Sequence, residues 1–443
     1  MRTSVIGCGY LGAVHAACTA ELGHDVIGLD VDPDLVDALT RGRAPLYEPG
    51  LDDLFRRNLA GRRLRFTTSY DEVAEFADVH FVCVGTPQRA DSNAADLTYL
   101  DAAIDALGPR LTRPAVVIGK STVPVGTAAC AAARLQTLAP AGRDVELGWS
   151  PEFLREGFGV EDTLRPDRIV IGTDSPRVEE AMREVSAAQI EQKIPFLVTD
   201  LQTAELVKVA ANAFLATKIS FINAIAGMCE QVGANVHTAA EALGHDQRIG
   251  SQGLAPGLGY GGGCLPKDVR ALIASSSETG AYQLAHLLQG VESVNEERRE
   301  SVCRAARHLC GSVRGSRVAV WGAAFKAGTD DVRDSPALDV ASRLVGEGAE
   351  VVVYDPQAMD NARKAHPDLV YAPSALDAVV GADVLLHLTG WPEFTEIDPG
   401  QLRTAIRHAR LVDARGGLDV GAWQASGWEV AALGGKLTPG GRR

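Results

Sequence analysis

One thiol closes a run of glycines in the stretch Gly259-Tyr260-Gly261-Gly262-Gly263-Cys264-Leu265-Pro266-Lys267-Asp268. Four glycines strip side chains from a turn, so a ligand can approach the backbone closely. If a helix starts at Leu265 or Pro266, Cys264 lies at its N-terminus, where unpaired amides and the helix dipole favour thiolate over thiol. Lys267 adds positive charge, and Asp268, four residues on, falls on the same helical face as the sulfur. That is the setting of a nucleophile. A glycine turn followed by a small core cysteine is the other reading of the same residues.

A second pair of polar residues stands inside an apolar segment. From Leu201 to about Val232 the pattern is one long helix, apolar nearly all round through Leu206, Val207, Val209, Phe214, Leu215, Ile219, Phe221, Ile222 and Ile225, and such a helix is expected to be buried. Lys208 and Asn212, four residues apart, share one face of it. A buried lysine needs a partner, which a functional pocket supplies; a lysine whose stem packs while its head reaches water is the alternative.

The elements that would position these groups start at the N-terminus. Residues 2 to 6 read as a strand running into Gly7-Cys8-Gly9-Tyr10-Leu11-Gly12, followed by an alanine-rich helix to about Leu22 and a second strand from Asp25 to Leu29 that ends at Asp30. Strand, glycine turn, helix, strand and acid follow in the order of a dinucleotide-binding unit. Gly7 turns tightly, Gly9 lets a pyrophosphate reach the helix N-terminus, and Gly12 permits close packing. Asp30 accepts hydrogen bonds from ribose hydroxyls and repels a 2′-phosphate, a preference for NAD over NADP that Asp32 and Asp34 reinforce. Further strands are expected at Val79 to Val84, Ala115 to Gly119, Val145 to Leu147 and Ile169 to Ile171. Thr86 and Thr122, in turns after two of them, are candidate cofactor contacts or turn formers.

After a second helical stretch, about Tyr282 to Cys310, residues 317 to 321 and 350 to 354 repeat the opening theme, and Ala382 to Leu388 and Leu411 to Asp413 look like strands of a second parallel sheet. The first turn of that sheet, Gly322-Ala323-Ala324-Phe325-Lys326, lacks the glycine fingerprint, so a second dinucleotide is not expected there. Lys326, Arg333 and Arg415 are candidate phosphate collectors or ordinary surface cations. The tail beyond about Lys436 is expected to be disordered.

A chain of 443 residues can bury two or three cores. A net charge of −14 argues against nucleic acid or an anionic membrane as the main partner, while a phosphate-bearing substrate stays open where cations are concentrated locally. No apolar run is read as long enough to cross a bilayer and no secretory signal is apparent, so the expected location is the cytoplasm. Eight scattered cysteines, with no Cys-x-x-Cys pair or His cluster, point away from structural metal and from a disulfide framework.

Together the motifs resemble those of the nucleotide-sugar 6-dehydrogenases, the UDP-glucose/GDP-mannose dehydrogenase family, from the first strand to about Arg415. The marks are Pro151-Glu152-Phe153-Leu154-Arg155-Glu156-Gly157, Lys208 with Asn212, Asp246-Gln247-Arg248-Ile249-Gly250, Gly261 to Asp268, and Phe325-Lys326 with Arg333. The resemblance implies two doubly wound Rossmann-like parallel sheets joined by a helical middle: an NAD-binding domain over 1–200, a central helical domain with the thiol over 201–311, and a nucleotide-sugar domain over 312–443. It implies two successive oxidations of a sugar's sixth carbon by NAD, with Cys264 holding first a thiohemiacetal and then a thioester. Lys208, Asn212, Asp268 and Thr122 would support the reacting oxygen and an ordered water, and Glu152 would serve in acid-base work. Tyr10, Leu11, Glu156, Lys267 and Arg333 would lie near the cofactor. Phe153, Leu154, Arg155, Glu156, the segment Gly253-Leu254-Ala255-Pro256-Gly257, Gly261, Lys326 and Arg415 would lie near the nucleotide sugar. Arg248 would reach in from a second copy, the long helix forming much of a homodimer interface. Two positions depart from the family: Gly253-Leu254-Ala255 stands where Phe-Leu-Lys is frequent, and Leu35 replaces a basic residue near Asp30. UDP-glucose is the favoured substrate, with dTDP-glucose, GDP-mannose and UDP-N-acetylmannosamine as alternatives. A two-electron hydroxyacid or sugar-phosphate dehydrogenase, or a cofactor-binding scaffold or sensor without turnover, would share parts of the pattern.

Overall fold

The computed structural model describes residues 1–434, so the tail expected to be disordered lies outside the described residues. The chain divides into two compact units, one of Met1–Ala211 with Arg270–Ser275 and one of Asn212–Val269 with Ser276 onward. The long helix is Leu201–Val232, and it contributes to both.

The first unit is built on eight strands: β1 (Arg2–Ile6), β2 (Asp25–Leu29), β3 (Leu64–Thr67), β4 (Val79–Val82), β5 (Ala115–Gly119), β6 (Val145–Trp149), β7 (Ile169–Gly172) and β8 (Phe196–Thr199). Their spatial order is β3-β2-β1-β4-β5-β6-β7-β8. All neighbours pair in parallel except β6 and β7, which meet antiparallel at Trp149 and Gly172. The strand order reverses direction between β1 and β4, the place where doubly wound sheets gather ligands. The central strands are covered on both faces: Val5, Ile6, Phe81, Val82, Val117 and Ile118 are buried, and so are the polar Thr3, Ser4 and His80 among them, Ser4 sharing a hydrogen bond with the His80 ring at 2.8 Å.

The second unit carries a six-stranded, all-parallel sheet: β9 (Arg317–Trp321), β10 (Glu350–Tyr354), β11 (Val370–Tyr371), β12 (Val384–His387), β13 (Arg410–Asp413) and β14 (Glu429–Ala432), in the order β11-β10-β9-β12-β13-β14. Trp321 stacks on Phe394 at 4.9 Å within its core. The helix Tyr282–Cys310 runs beside this sheet.

Two expectations for the long helix need correction. It was expected to be buried all round, yet Phe214, Phe221 and Met228, seven residues apart, are 65%, 53% and 60% exposed and form one apolar stripe. Its length and hydropathy do match a membrane span, contrary to the expectation that no segment would. Its polar residues, however, are satisfied by protein: Glu205 accepts from the amides of Gly126 and Ala128, Asn212 donates to Asp268, Ser220 donates to the Val291 carbonyl, and Asn223 accepts from the Gly257 amide. A helix so engaged is a core helix with one bare face.

Candidate active site

In the first unit the chain leaves β1 through Gly7, at φ +86°, and the Gly7 amide donates to the Leu29 carbonyl. A Cβ on Gly12 would lie 1.8 Å from the Gly7 carbonyl oxygen, so only glycine lets the helix Tyr10–Glu21 start this close to the turn. Nothing lies within 4 Å of a Cβ built on Gly9, which leaves the helix N-terminus open to a pyrophosphate. Asp30, at the carboxyl end of β2, accepts from the Cys8 amide at 2.8 Å and the Asp32 amide at 3.1 Å. The acid thus braces the turn while sitting where ribose hydroxyls would come. These residues fit NAD. Tyr10 and Leu11 open the helix, with Tyr10 tied elsewhere: its hydroxyl donates to Glu48 at 2.8 Å, and burial followed by the charge of Glu48 pushes its pKa up. Glu48 also accepts from the amides of Gly157 and Val160, so this one buried carboxylate fixes the loop that follows Glu156 against the dinucleotide turn.

The loops after β4 and β5 meet: the Thr86 hydroxyl donates to the Thr122 carbonyl at 2.7 Å, and Ser121 donates to the Val84 carbonyl at 2.6 Å. Glu152 lies after β6, its side chain 16% exposed. One carboxylate oxygen accepts from the Phe153 and Leu154 amides and the other meets the Lys120 ammonium at 2.9 Å. Burial works against the charged form, but the Lys120 charge and hydrogen bond, with His15 and the Phe153 amide, outweigh it and hold the carboxyl at about 2. Phe153 presents its ring to Arg168, 4.0 Å away, and to the Lys208 ammonium, 5.6 Å away. Arg155 is exposed and ion-paired with Asp162 at 2.7 Å. Leu154 is half-buried against the core and Glu156 is buried.

The helix Leu265–Glu278, whose first turn belongs to the second unit, begins directly after Cys264, and the Asp268 amide donates to the Cys264 carbonyl at 2.9 Å, closing that turn. Cys264 is exposed. Asp268, 1% exposed, accepts from the Asn212 side chain at 2.6 Å and from Lys267 at 2.7 Å. Lys208 and Asn212 are each 7% exposed, so the lysine head is not at the surface. The turn before the thiol is glycine because its neighbours crowd it. A Cβ on Gly261 would lie 2.3 Å from the Asp334 carbonyl oxygen, and one on Gly263 would lie 2.3 Å from the Arg333 guanidinium carbon. Asn295 clamps Tyr260 by accepting from its amide and donating to its carbonyl.

The other expected residues fall around this turn or away from it. Arg333 chelates Asp331, and the Lys326 ammonium lies 5.7 Å from the Phe325 ring centroid. Arg415 donates to three backbone carbonyls, of Leu388, Gly259 and Phe325, and burial draws its pKa down to about 10. Leu254, Pro256 and Gly257 are buried while Gly253 turns at φ +79° and Ala255 is exposed. Arg248 is 88% exposed on its side chain and held by Asp246. Sequence reasoning passed over Lys120, Glu48 and Glu205. A lysine ending the apolar strand Ala115–Gly119, and acids surrounded by apolar residues, were the available signals. No group of three or more His, Cys, Asp or Glu among the described residues is placed to hold a metal.

Family descriptions match the chain in order: the NAD binding domain of the UDP-glucose/GDP-mannose dehydrogenase family over residues 1–189, its central domain over 202–297 and its UDP binding domain over 319–420. The chain belongs to the UDP-glucose/GDP-mannose dehydrogenase family. A UDP-glucose 6-dehydrogenase of Rhizobium meliloti is 43% identical, covering 94% of this chain and 95% of its own, and one of Haloferax volcanii is 42% identical, covering 95% and 99%. The solved structure of a UDP-glucose dehydrogenase from Pyrobaculum islandicum superposes with a TM-score of 0.87 at 38% identity over 94% of both chains. That of a UDP-D-ManNAc dehydrogenase from Pyrococcus horikoshii gives 0.86 at 27% identity over 99% and 100%. This member of the family is therefore an NAD-dependent nucleotide-sugar dehydrogenase with two parallel-dominated sheets and a helical middle, as its motifs implied.

Proposed function

We propose that this chain oxidises UDP-glucose at its sixth carbon to the uronic acid through a covalent adduct on Cys264. The observation that carries the reading is the exposed thiol at the first turn of Leu265–Glu278, directly above an Asp268 braced by Asn212 and Lys267. The similarity to UDP-glucose 6-dehydrogenases favours UDP-glucose among nucleotide sugars. NAD supplies the hydride acceptor, once for the alcohol and once for the adduct.

The helix dipole lowers the cost of a thiolate on Cys264. The sulfur adds to the aldehyde carbon, forming a C–S bond and an alkoxide, and Lys208 and Asn212 stabilise that negative oxygen. After the second oxidation the adduct is a thioester. Water then bonds to the acyl carbon, its proton passes to Glu152, and the C–S bond breaks with its electron pair returning to sulfur. Asp30 and the turn Gly7 to Gly12, with Tyr10, Leu11, Thr86, Thr122, Glu156, Lys267 and Arg333, serve the dinucleotide. Phe153, Leu154, Arg155, residues 253 to 257, Gly261, Lys326 and Arg415 serve the nucleotide sugar. A thiol that must stay reduced supports a reducing, cytoplasmic setting for the reaction. The bare stripe Phe214, Phe221 and Met228 supports pairing of two copies along the long helix, with exposed Arg248 reaching the neighbouring site.

The test is a panel of nucleotide sugars with NAD, scoring product and NADH. Two NADH per UDP-glucuronate are expected, with Cys264→Ala binding NAD normally but releasing no uronate. One NADH per product, or near-normal uronate from the variant, would overturn the reading.

A further inference from the structure

Inside the first unit a cavity of about 60 Å³ is lined by His15, Thr163, Gln189, Lys120 and Glu152 among others. Four polar atoms buried around it have no protein partner: both ring nitrogens of His15, the Thr163 hydroxyl and the Gln189 amide oxygen. All three residues are more than nine-tenths buried. The Gln189 amide nitrogen is already used, donating to the Thr163 carbonyl at 3.2 Å, and the His15 ring packs edge-on to Phe81 at 4.5 Å. Leaving one such atom unsatisfied costs about 1–3 kcal/mol, and here they converge on one space. At about 10–15 Å³ for each water, the space holds roughly four to six. Among apolar neighbours such as Phe81 and Met182, these atoms offer both donors and acceptors, because burial, followed by the Lys120 charge, holds His15 neutral with a pKa near 3.

We propose that this chamber holds a cluster of internal waters, and that the cluster, bounded on one side by Glu152 and Lys120, carries away the proton that Glu152 takes from water during thioester hydrolysis. The second half of the statement rests on the reaction proposed above. The first half does not. One oxygen of Glu152 accepts from two backbone amides and the other meets Lys120 alone, which leaves it one lone pair for a proton; a proton taken there competes with the lysine charge, is weakly held and leaves as soon as a hydrogen-bonded path exists. The lining runs from buried His15 to half-buried Asp162 and Arg168, which places the exit of the path at their edge. Each hop exchanges one O–H bond for another and consumes no other reactant.

Two measurements on the full chain decide it. A high-resolution crystal structure is expected to show ordered waters within hydrogen-bonding distance of His15, Thr163 and Gln189; a dry chamber, or side chains repacked to satisfy one another, overturns the site. Rapid-quench kinetics of Thr163→Val, which keeps the volume and removes one hydroxyl, should show uronate release slowed about fivefold with the initial NADH burst unchanged. Gln189→Met serves as the second variant should Thr163→Val fold poorly. Uronate release at the wild-type rate in a variant that has lost a water overturns the relay. If the wild-type chain forms no uronate at all, the proposed reaction falls, and the waters in the crystal still decide the site.

Discussion

Lys120→Met keeps the length and apolar stem of the lysine while removing its charge, and leaves the Glu152 carboxylate with two backbone amides as its remaining close partners. The distance from an ordinary 4.5 to about 2 corresponds to about 3 kcal/mol of preference for the ionised carboxylate, most of it owed to Lys120. Both side chains are well sheltered, at 9% and 16% exposed, so solvent screens little of this. The figure agrees with the roughly 3–5 kcal/mol lost when one partner of a buried pair is removed. Calorimetry of the full chain at pH 7 should show the first unit melting roughly 6–12 °C earlier in the variant. Because the folded carboxyl titrates below its unfolded value, its contribution is complete above about 4.5 and is lost as the pH falls toward 2. The gap between wild type and variant should therefore close in acid, where the variant also protonates Glu152. Adding Glu152→Gln should recover part of the loss at pH 7. An unchanged melting temperature at pH 7, or a gap that persists into acid, would refute this account of the pair.

Gly12→Ala puts a methyl 1.8 Å from the Gly7 oxygen and should weaken NAD binding at least tenfold by titration calorimetry. Wild-type affinity would show that the turn can open without cost. Asp30→Ala should reduce the ratio of kcat/KM for NAD over NADP by roughly tenfold or more, a constant ratio meaning that the acid only braces the Cys8 amide. Lys208→Ala should lower kcat by about a hundredfold or more with little change in KM for the nucleotide sugar, since help to an oxyanion is concentrated in the transition state. An effect confined to KM would contradict its role. If two copies pair along the long helix as proposed, Phe214→Glu combined with Phe221→Glu should leave only monomers in sedimentation without changing the melting of either sheet; an unaltered sedimentation coefficient would refute pairing through the stripe.

The strands legible in the sequence are those with neighbours on both sides. β5 is apolar throughout and β4, β9 and β12 carry a single polar residue each, His80, Arg317 and His387, because both faces and both edges are covered, whereas the strands that escaped, β3, β8, β11 and β14, are the four outer edges of the two sheets. An edge strand is short or half-exposed, as Leu197 and Val198 show at 51% and 40%, and its pattern does not separate from that of a loop. The candidate residues that stand out in the sequence have a local reason for their spacing: the glycines, Asp30, Cys264 with Asp268, Lys208 with Asn212. The side chains that hold them do not stand out, because their partners are distant in sequence. Glu48 is fixed by Gly157 and Glu205 by Gly126, and no periodicity connects such pairs. The exposed stripe on the long helix was hidden by the opposite fault. Composition says that a helix is greasy, not which of its faces the rest of the chain leaves uncovered.

The three carbonyls gathered by Arg415 belong to the strand end at Leu388, the loop at Phe325 and the reactive turn at Gly259. The shape of the turn before Cys264 is thus inherited from a residue more than a hundred positions downstream, just past the strand Arg410–Asp413 of the second sheet. A ribosome that has delivered Cys264 has delivered a thiol but not yet its setting; that arrives only when the last quarter of the polypeptide closes around the guanidinium.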